Sequence, residues 1–408
     1  MVKESRLNRK DEQLAMQTLA PKVLKGGLVL AGVCVGTAVI LGIAKGDGLK
    51  HFFFSYLLNF TYVLSLALGA LFFVILQHLT RAGWSASVRR LAELMAGTLP
   101  LLGLLALPII VLLLRGDATL YEWADTSLMH TDHLLYKKAA YLNAPFFVAR
   151  AAGTFLIWGF LSRMFLRSSS AQDWSGDPAL TLRLQRLSGP AMIVFALTLT
   201  FFAFDWLMSL EPRWFSTIFG VYFFAGCTMG FLAFVIVVAM WLQRCGYATQ
   251  SWTREHYHDL GKLLFAFVFF WGYIAFSQYM LIWYANVPEE TEWFEHRLQG
   301  TWHIVSWTLV IGHFVVPFLG LISRHAKRNR RVLAFWAVVL LVMHWLDLVW
   351  LVMPKLGGHG VPLQALDVLL WLGMMGFFCA CVAFVGRDSL IVAVKDPRLH
   401  EALAFENM

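Results

Sequence analysis

Charged residues are scarce in this sequence. Of its 408 residues only 14% are Asp, Glu, Lys or Arg, whereas 59% are hydrophobic and the mean hydropathy is +0.64. A soluble domain carries about 25% charged residues, so this shortage excludes an ordinary water-soluble fold. The formal net charge of +8 does not indicate nucleic-acid binding, because the basic residues lie in short segments between apolar runs, where membrane topology accounts for them.

Metal-binding and catalytic motifs are also missing. The five cysteines show no C-x₂-C spacing of the kind that iron–sulfur and zinc sites use. A Walker phosphate loop, a G-x-S-x-G nucleophile elbow and an H-E-x-x-H zinc helix are absent. We therefore expect no metal site and no self-contained hydrolase or ATPase. The N-terminus is too polar and too long to open a cleaved signal peptide, so it is predicted to be a retained tail.

Long apolar runs dominate what is present. A membrane-spanning helix needs about 20 apolar residues. Ten runs meet this length: 26–44, 52–79, 91–114, 143–166, 189–210, 216–242, 261–286, 299–323, 332–353 and 361–385. The fold class predicted is an all-α polytopic membrane protein with ten transmembrane helices. Most of the 33 Lys and Arg fall in the tails and in every second loop, which by the positive-inside rule places both termini in the cytoplasm.

Short motifs recur along the chain in one order. Residues 79–84 resemble 242–247, residues 159–163 resemble 320–324, and an aspartate seven residues before a proline occurs at both Asp205 and Asp347. Each pair falls at an equivalent place in a predicted span. Spans 2–5 and 6–9 are therefore predicted to be two four-helix bundles of the same orientation, related by an axis along the membrane normal and flanked by helices 1 and 10.

This organisation divides the chain into six segments. They are a cytoplasmic N-terminal tail (1–25), helix 1 with its loop (26–50), the first bundle (51–215), the second bundle (216–354), helix 10 (355–386) and a cytoplasmic C-terminal tail (387–408).

The order of motifs along the ten spans resembles a known family. The segments that carry the likeness are FDWLMSLEPRWFST at 204–217, SQYMLIWY at 277–284 and GTWH at 300–303. They are similar to the NrfD-like family, the membrane subunits of polysulfide reductase and related quinone-linked complexes. Within that family the likeness is closest to the membrane subunits of alternative complex III, a bacterial quinol:electron-acceptor oxidoreductase. The resemblance covers essentially the whole chain.

The resemblance implies a subunit of a quinol-oxidising respiratory complex in the bacterial cytoplasmic (inner) membrane. The partners it implies are an NrfD-like sister subunit, an iron–sulfur subunit, haem c subunits and phospholipid. It implies no tightly bound cofactor in this chain, with quinone or quinol as the ligand. Three contributions of the chain stay open: a scaffold, a proton pathway through the second bundle, or a quinone-binding site near Asp347 or Asp205.

The first bundle carries two opposite charges inside its spans. An ionisable side chain at membrane depth is costly and is by default a functional hypothesis. Asp205 lies roughly 24 Å from the cytoplasmic end of its span, and Arg150 enters the neighbouring span roughly 10 Å from the other side. We predict a structural ion pair, which would keep Asp205 ionised. Asp205 with Trp206 is also a candidate quinone site.

The second bundle has no arginine matching Arg150 and carries a series of titratable and polar groups at successive depths. The proton-path candidates are His258, Asp259, Gln278, His303, His313, His344 and Asp347. Groups spaced at intervals of several ångströms and bridged by water are what a proton path needs. Taken one at a time, each histidine is better explained by a hydrogen-bonded structural role, whereas the series as a set supports a proton path as well as it supports structural roles. Asp347 with His303 or His344, among tryptophans, is a second candidate quinone site.

Haem binding and solute transport are two alternatives to a proton path or a quinone site. His313 and His344 are expected at similar depth, but a bundle cytochrome with two haems needs a second depth-matched pair, so bound haem is not expected. A secondary transporter should have spans broken at matching places in both halves. Pro100 and Pro108 interrupt span 3, whereas span 7, its counterpart, has no interior proline. This difference disfavours a transporter.

Overall fold

The fold is entirely helical in the part of the chain that the structure describes. The structure is a computed structural model that describes residues 12–357 and 360–406. Ten helical segments are long and apolar enough to cross a membrane, as predicted. They are α1 (Ala20–Lys45), α2 (Lys50–Leu79), α3 (Arg89–Leu114), α4 (Ala144–Ser175), α5 (Pro178–Leu210), α6 (Phe219–Arg244), α7 (Arg254–Ala285), α8 (Trp302–Ile322), α9 (Arg330–Leu356) and α10 (Ala365–Gly386).

The hairpin between α4 and α5 is longer than the apolar runs indicated. The helices end at Ser175 and begin at Pro178, well beyond the limits of both predicted spans. The chain reverses at Gly176, whose φ of 67° lies in the left-handed region that glycine adopts without strain. The Asp177 carboxylate then accepts a hydrogen bond from the Ala179 amide at 2.9 Å. Hydropathy detects only the apolar part of a helix, so it missed these capped polar turns.

The helices pack as two four-helix bundles side by side. In the first bundle α2 contacts α3 and α5, and α4 lies against α3 and α5. In the second bundle α6 contacts α7 and α9, and α8 lies against α7 and α9. The bundles meet through α2 and α6, with α2 also touching α9 and α6 also touching α5. Exchanging the two bundles leaves this contact pattern unchanged, as expected for a duplicated unit. Helix α1 packs on α10, and α10 packs on α2.

The two described ends of the chain lie on one face of the molecule. Near the N-terminus, Gln13 forms an isolated β-bridge with Tyr247 in the loop between α6 and α7. Near the C-terminus, the Ile391 amide donates a hydrogen bond to the Leu14 carbonyl at 3.0 Å. We call this side the terminal face and the other side the opposite face. Which of them is cytoplasmic stays a prediction from the charge pattern.

The closest approach of the two bundles is at Gly69 of α2. A Cβ atom at this position would lie 2.3 Å from the Cys227 carbonyl oxygen and 2.5 Å from Phe231 Cβ, both on α6. Small residues at such crossings let helix backbones approach closely in an apolar medium. The α2 span is the most enclosed of the ten, because 94% of the residues in an 18-residue apolar stretch of it are buried. The α2–α6 crossing is therefore the centre of the scaffold.

Replacing Gly69 with alanine is expected to lower the free energy of unfolding by about 1–3 kcal/mol, because the added methyl group overpacks the α2–α6 contact. Gly153→Ala on α4 is the matched control, since a Cβ at Gly153 meets no atom within 4 Å. Thermal unfolding of the purified chain in detergent measures both variants. Equal melting temperatures for the two would contradict the close crossing.

A single carboxylate connects the equivalent ends of the two bundles on the opposite face. Each bundle ends in a proline followed by a basic residue, Arg213 in the first and Lys355 in the second. Glu122 accepts a hydrogen bond from Arg213 Nη1 at 3.0 Å, and Lys355 Nζ lies 2.6 Å from its other oxygen. Burial alone would raise the pKa of Glu122, but hydrogen bonds and charges from Lys355 and Arg213 outweigh burial and lower it.

Changing Glu122 to glutamine is expected to reduce stability at neutral pH by about 1 kcal/mol or less, because the group is partly exposed to solvent. Because the pKa of Glu122 is lowered in the folded state, the stabilisation that this carboxylate gives the folded protein is complete above its unfolded-state pKa of about 4.3. This stabilisation is lost as the pH falls through the lower pKa of the folded state. Melting temperatures of wild type and variant should therefore converge in acid. Glu295→Gln, at an exposed position, is the control and should show no such convergence.

Candidate functional site

In the first bundle, the structure brings together Arg150 and Asp205, which the sequence analysis had paired. Arg150 Nε lies 2.8 Å from Asp205 Oδ2, and Nη2 lies 3.0 Å from Oδ1. The remaining donor, Nη1, bonds to the Tyr141 carbonyl at 3.0 Å, and the guanidinium carbon lies 3.9 Å from the Tyr141 ring. A bidentate pair of this kind fixes both side chains. Asp205 is thus held in a structural contact.

The side chains around Trp206, next to this pair, are tightly packed. Trp206 is fully buried, and its ring stacks on Phe202 with centroids 5.4 Å apart and lies 5.2 Å from Phe147. The hydroxyl of Tyr121 donates a hydrogen bond to the Trp206 carbonyl at 3.1 Å. Aromatic rings therefore occupy the space where a quinone at Asp205 and Trp206 would have to bind.

Separating the Arg150–Asp205 pair should be costly. Arg150→Met leaves a buried carboxylate without a counter-charge and is expected to cost about 3–5 kcal/mol. Adding Asp205→Asn removes that uncompensated charge, so the double variant should be more stable than the sum of the two single losses predicts. Thermal unfolding of the wild type, both single variants and the double variant gives the coupling. Strictly additive losses would contradict the pair.

In the second bundle, Asp347 is held differently. Tyr222 of α6 donates a hydrogen bond to Asp347 Oδ1, and Trp271 Nε1 of α7 lies 3.3 Å from Oδ2. Both donors are neutral, and among the described residues Asp347 has no ion pair. It is 2% exposed. The equivalent aspartates of the two bundles therefore sit in opposite electrostatic settings, one beside a fixed cation and one without.

Tyr222 and Trp271 were not among the residues selected from the sequence. The chain has 11 Tyr and 17 Trp, most of them expected at membrane interfaces or in helix contacts. The only local signal is that each carries a hydrogen-bond donor within an apolar span, a property shared by many of the others. Their contact with Asp347 depends on how α6, α7 and α9 pack together.

A buried histidine, His344, lies one helical turn before Asp347 on α9. His344 Nε2 lies 2.8 Å from Ser65 Oγ of α2, so the first bundle anchors its ring. Its Nδ1 has no partner among the described residues. The ring fits against two glycines of α6, because a Cβ at Gly226 would lie 3.1 Å from His344 Cε1 and one at Gly230 would lie 2.8 Å from Cδ2. Glycines therefore make the space that this imidazole occupies.

His313 is the second histidine of the cluster. It is fully buried, and neither of its ring nitrogens has a partner in the described part of the chain. Its ring centroid lies 4.1 Å from that of Trp271, the residue that bonds Asp347. Three of the predicted proton-path candidates, His313, His344 and Asp347, thus converge around Tyr222 and Trp271. We call these five residues the buried cluster.

Helix α8 is deformed where it carries His313. The segment Leu309–Val315 is π-helical, and wider turns of this kind occur often at functional sites. Pro317 lies four residues after His313 and has no N–H to donate to the His313 carbonyl, which gives a local reason for the irregular hydrogen bonding. This π-helical segment was not predicted, although Pro317 is a sequence signal for an irregular helix at this position.

The other candidates lie outside the buried cluster. His258 and Asp259 are buried at the start of α7 toward the terminal face, where Asp259 forms an ion pair with Lys262. Gln278 accepts a hydrogen bond from Ser216 Oγ at 3.2 Å. His303 is exposed, and its Nδ1 bonds back to the Gly300 carbonyl just before α8 begins. Among the described residues the structure shows no contact between His303 and Asp347, so a quinone site made of these two residues stays a prediction.

An apolar cleft of about 360 Å³ lies between α7 and α8. Its inner wall includes Tyr222 and Trp271, and its few polar walls include Gln278. At its mouth Phe276 and Trp307 are 62% and 60% exposed, on the side that lipid would contact. The volume falls in the range of small-molecule sites, which are mostly apolar with a few placed polar groups. The cleft thus joins the lipid side of the second bundle to the two donors of Asp347.

Comparison of the sequence with known protein families gives no match, and none of the curated proteins compared with it is similar. The family resemblance therefore rests on the three motif segments and their order along the ten spans. What is known of this chain directly is its helical membrane architecture and the geometry of its buried polar groups.

Proposed function

We propose that this chain is an integral membrane subunit of a quinol-oxidising respiratory complex and that its second bundle conducts protons. The observation that carries the proton role is the setting of Asp347. It is buried and, among the described residues, bonded only by neutral donors. His344, one helical turn before it, and His313, which packs on its donor Trp271, have ring nitrogens without a partner in that part of the chain. A carboxyl group without a fixed cation changes its protonation far more readily than one held by arginine. Asp205, bonded to Arg150, lacks this freedom.

The buried cluster supports a relay through the second bundle. An imidazole can accept a proton at one ring nitrogen and release one from the other, and histidines are common proton shuttles. His258 and Asp259, at the terminal-face end of α7, mark an entry on that side, and His313 and His344 lie between them and Asp347. The positive-inside pattern predicts that the terminal face is cytoplasmic, and with this orientation protons would leave toward the opposite face. Partner subunits with iron–sulfur and haem centres follow from the resemblance alone.

The cleft favours one alternative function, quinone binding. A quinone ring that entered from the lipid between α7 and α8 would meet Tyr222 and Trp271 at the inner wall. Asp347 lies directly behind these two residues and is a suitable acceptor for a proton released by quinol. This alternative uses the same carboxylate, so the two functions separate by what changes when Asp347 is altered.

Asp347→Asn in the intact complex is the test. If the second bundle conducts protons, the number of protons translocated per electron should fall severalfold while the KM for quinol changes by less than about threefold. Asp347→Glu keeps the carboxyl group and serves as the matched control, which should retain much of the translocation. Proteoliposomes with a pH-sensitive dye, together with quinol oxidation kinetics, report both quantities.

Two other outcomes are informative. A rise in KM of about tenfold or more with normal proton translocation would favour the quinone site. If neither the number of protons translocated per electron nor the KM for quinol changes, Asp347 takes part in neither proton conduction nor quinone binding. The chain would then be a scaffold. Purification of the tagged chain from its membrane without any iron–sulfur or haem-containing partner would contradict the respiratory complex itself.

A further inference from the structure

Glu211 belongs to the motif segment 204–217, but its side chain contacts the second bundle. It lies between Asp205 and Pro212 in the stretch that opens the family resemblance. Its carboxylate does not reach the Arg150–Asp205 pair but bonds Arg297 Nη2 at 2.9 Å. Arg297 belongs to the loop helix Pro288–Leu298, which joins α7 to α8. A residue of the first bundle thus contacts the second bundle on the opposite face.

Arg297 places a positive charge just beyond Asp347. Its side chain is 1% exposed. Nε donates to the Trp350 carbonyl at 3.1 Å, and Nη2 donates to the Leu351 carbonyl at 3.2 Å. These carbonyls lie in the helical turn that follows Asp347 in α9, on the way to the opposite face. Arg297 also lines the apolar cleft together with Tyr222, the donor to Asp347.

A polar vestibule lies on the other side of this charge. It has a volume of about 370 Å³ on the opposite face. Charged side chains from several elements line it, among them Glu211, Arg213, Glu289, Glu292, His296 and Lys355. The side chain of Glu211 is 18% exposed, whereas that of Arg297 is enclosed. The order from the membrane interior outward is therefore Asp347, Arg297, Glu211 and the vestibule.

We propose that Glu211 is the outer proton-exchange group of the second bundle and that Arg297 is the fixed charge that controls passage between it and Asp347. The proposal rests on the proton-conducting function proposed above. The O–H bond of the Asp347 carboxylic acid breaks, the proton passes to the Glu211 carboxylate, and Glu211 then releases it to the vestibule. Asp347 is left ionised, and Glu211 returns to its pair with Arg297.

The charge of Arg297 gives this step its physical basis. While Glu211 is ionised, the pair is neutral overall. Unlike Asp205, which an arginine holds through two contacts away from water, Glu211 makes one contact with Arg297 among the described residues and is 18% exposed, so it can exchange protons with the vestibule. The same cation opposes the entry of a hydronium ion from the vestibule toward Asp347, as arginines do in selective pores.

A purely structural role for Arg297 is the competing explanation. The carbonyls of Trp350 and Leu351 belong to the last α-helical turn of α9, before its 3₁₀ segment Met353–Leu356, and Arg297 donates to both. A cap of this kind depends on hydrogen bonds and shape, whereas a barrier depends on charge. Arg297→Lys keeps the charge and loses the planar fork of donors, and Arg297→Gln keeps a donor and loses the charge. The two variants therefore separate the roles.

The experiment uses the intact complex in proteoliposomes. Passive proton leak is measured after an imposed pH gradient without substrate, and proton release is measured during turnover. We expect Arg297→Gln to increase the leak by about tenfold and Arg297→Lys to stay near wild type, since the barrier is electrostatic. Glu211→Gln should slow proton release by about tenfold or more relative to electron transfer. Glu295→Gln, an exposed position on the same loop helix, is the control.

The alternative outcomes distinguish this proposal from the function on which it rests. If both Arg297 variants lower the melting temperature equally and neither leaks, Arg297 is a helix cap and the barrier is overturned. If Glu211→Gln behaves like the Glu295 control while Asp347→Asn still abolishes translocation, protons leave by another route and only the role of Glu211 fails. If Asp347→Asn has no effect on translocation, the proposed function fails first, and the role of Glu211 and Arg297 fails with it.

Discussion

A carboxylate among apolar helices must be compensated by its neighbours, because its removal from water costs several kcal/mol. The two bundles meet this constraint in different ways. In the first, Arg150 supplies a full positive charge through two short contacts with Asp205. In the second, Tyr222 and Trp271 supply only neutral donors to Asp347. The first carboxylate is held by a charge, and the second is held by neutral donors.

The difference develops on a common scaffold. Helices α2 and α6 cross at Gly69, and Glu122 connects Arg213 with Lys355 at the equivalent ends of the bundles. These contacts preserve the symmetry of the duplicated unit. The polar interior departs from it, because the second bundle has no counterpart of Arg150 and gains His313 and His344. The duplicated architecture thus holds an ion pair in the first bundle, and in the second a carboxylate bonded by neutral donors with two buried histidines nearby.

Local irregularities position the buried groups. Gly226 and Gly230 open the space on α6 that the ring of His344 fills. The π-helical turn of α8 carries His313 onto Trp271. Each deviation has a cost, either in helix propensity or in backbone hydrogen bonding. Their coincidence around one carboxylate is consistent with a functional requirement, because packing alone would be satisfied by regular helices and apolar side chains.

The sequence by itself determined the ten spans and the repeated bundles, because hydropathy and motif order are properties of consecutive residues. It also paired Arg150 with Asp205, since few partners exist for a charge at that depth. Only the tertiary structure decided which groups reach Asp347. Tyr222 and Trp271 are 125 and 76 residues away in the chain. His303, which its depth made a candidate, is exposed. Depth follows from the rise of one helix, whereas contact across helices depends on rotation and packing of several.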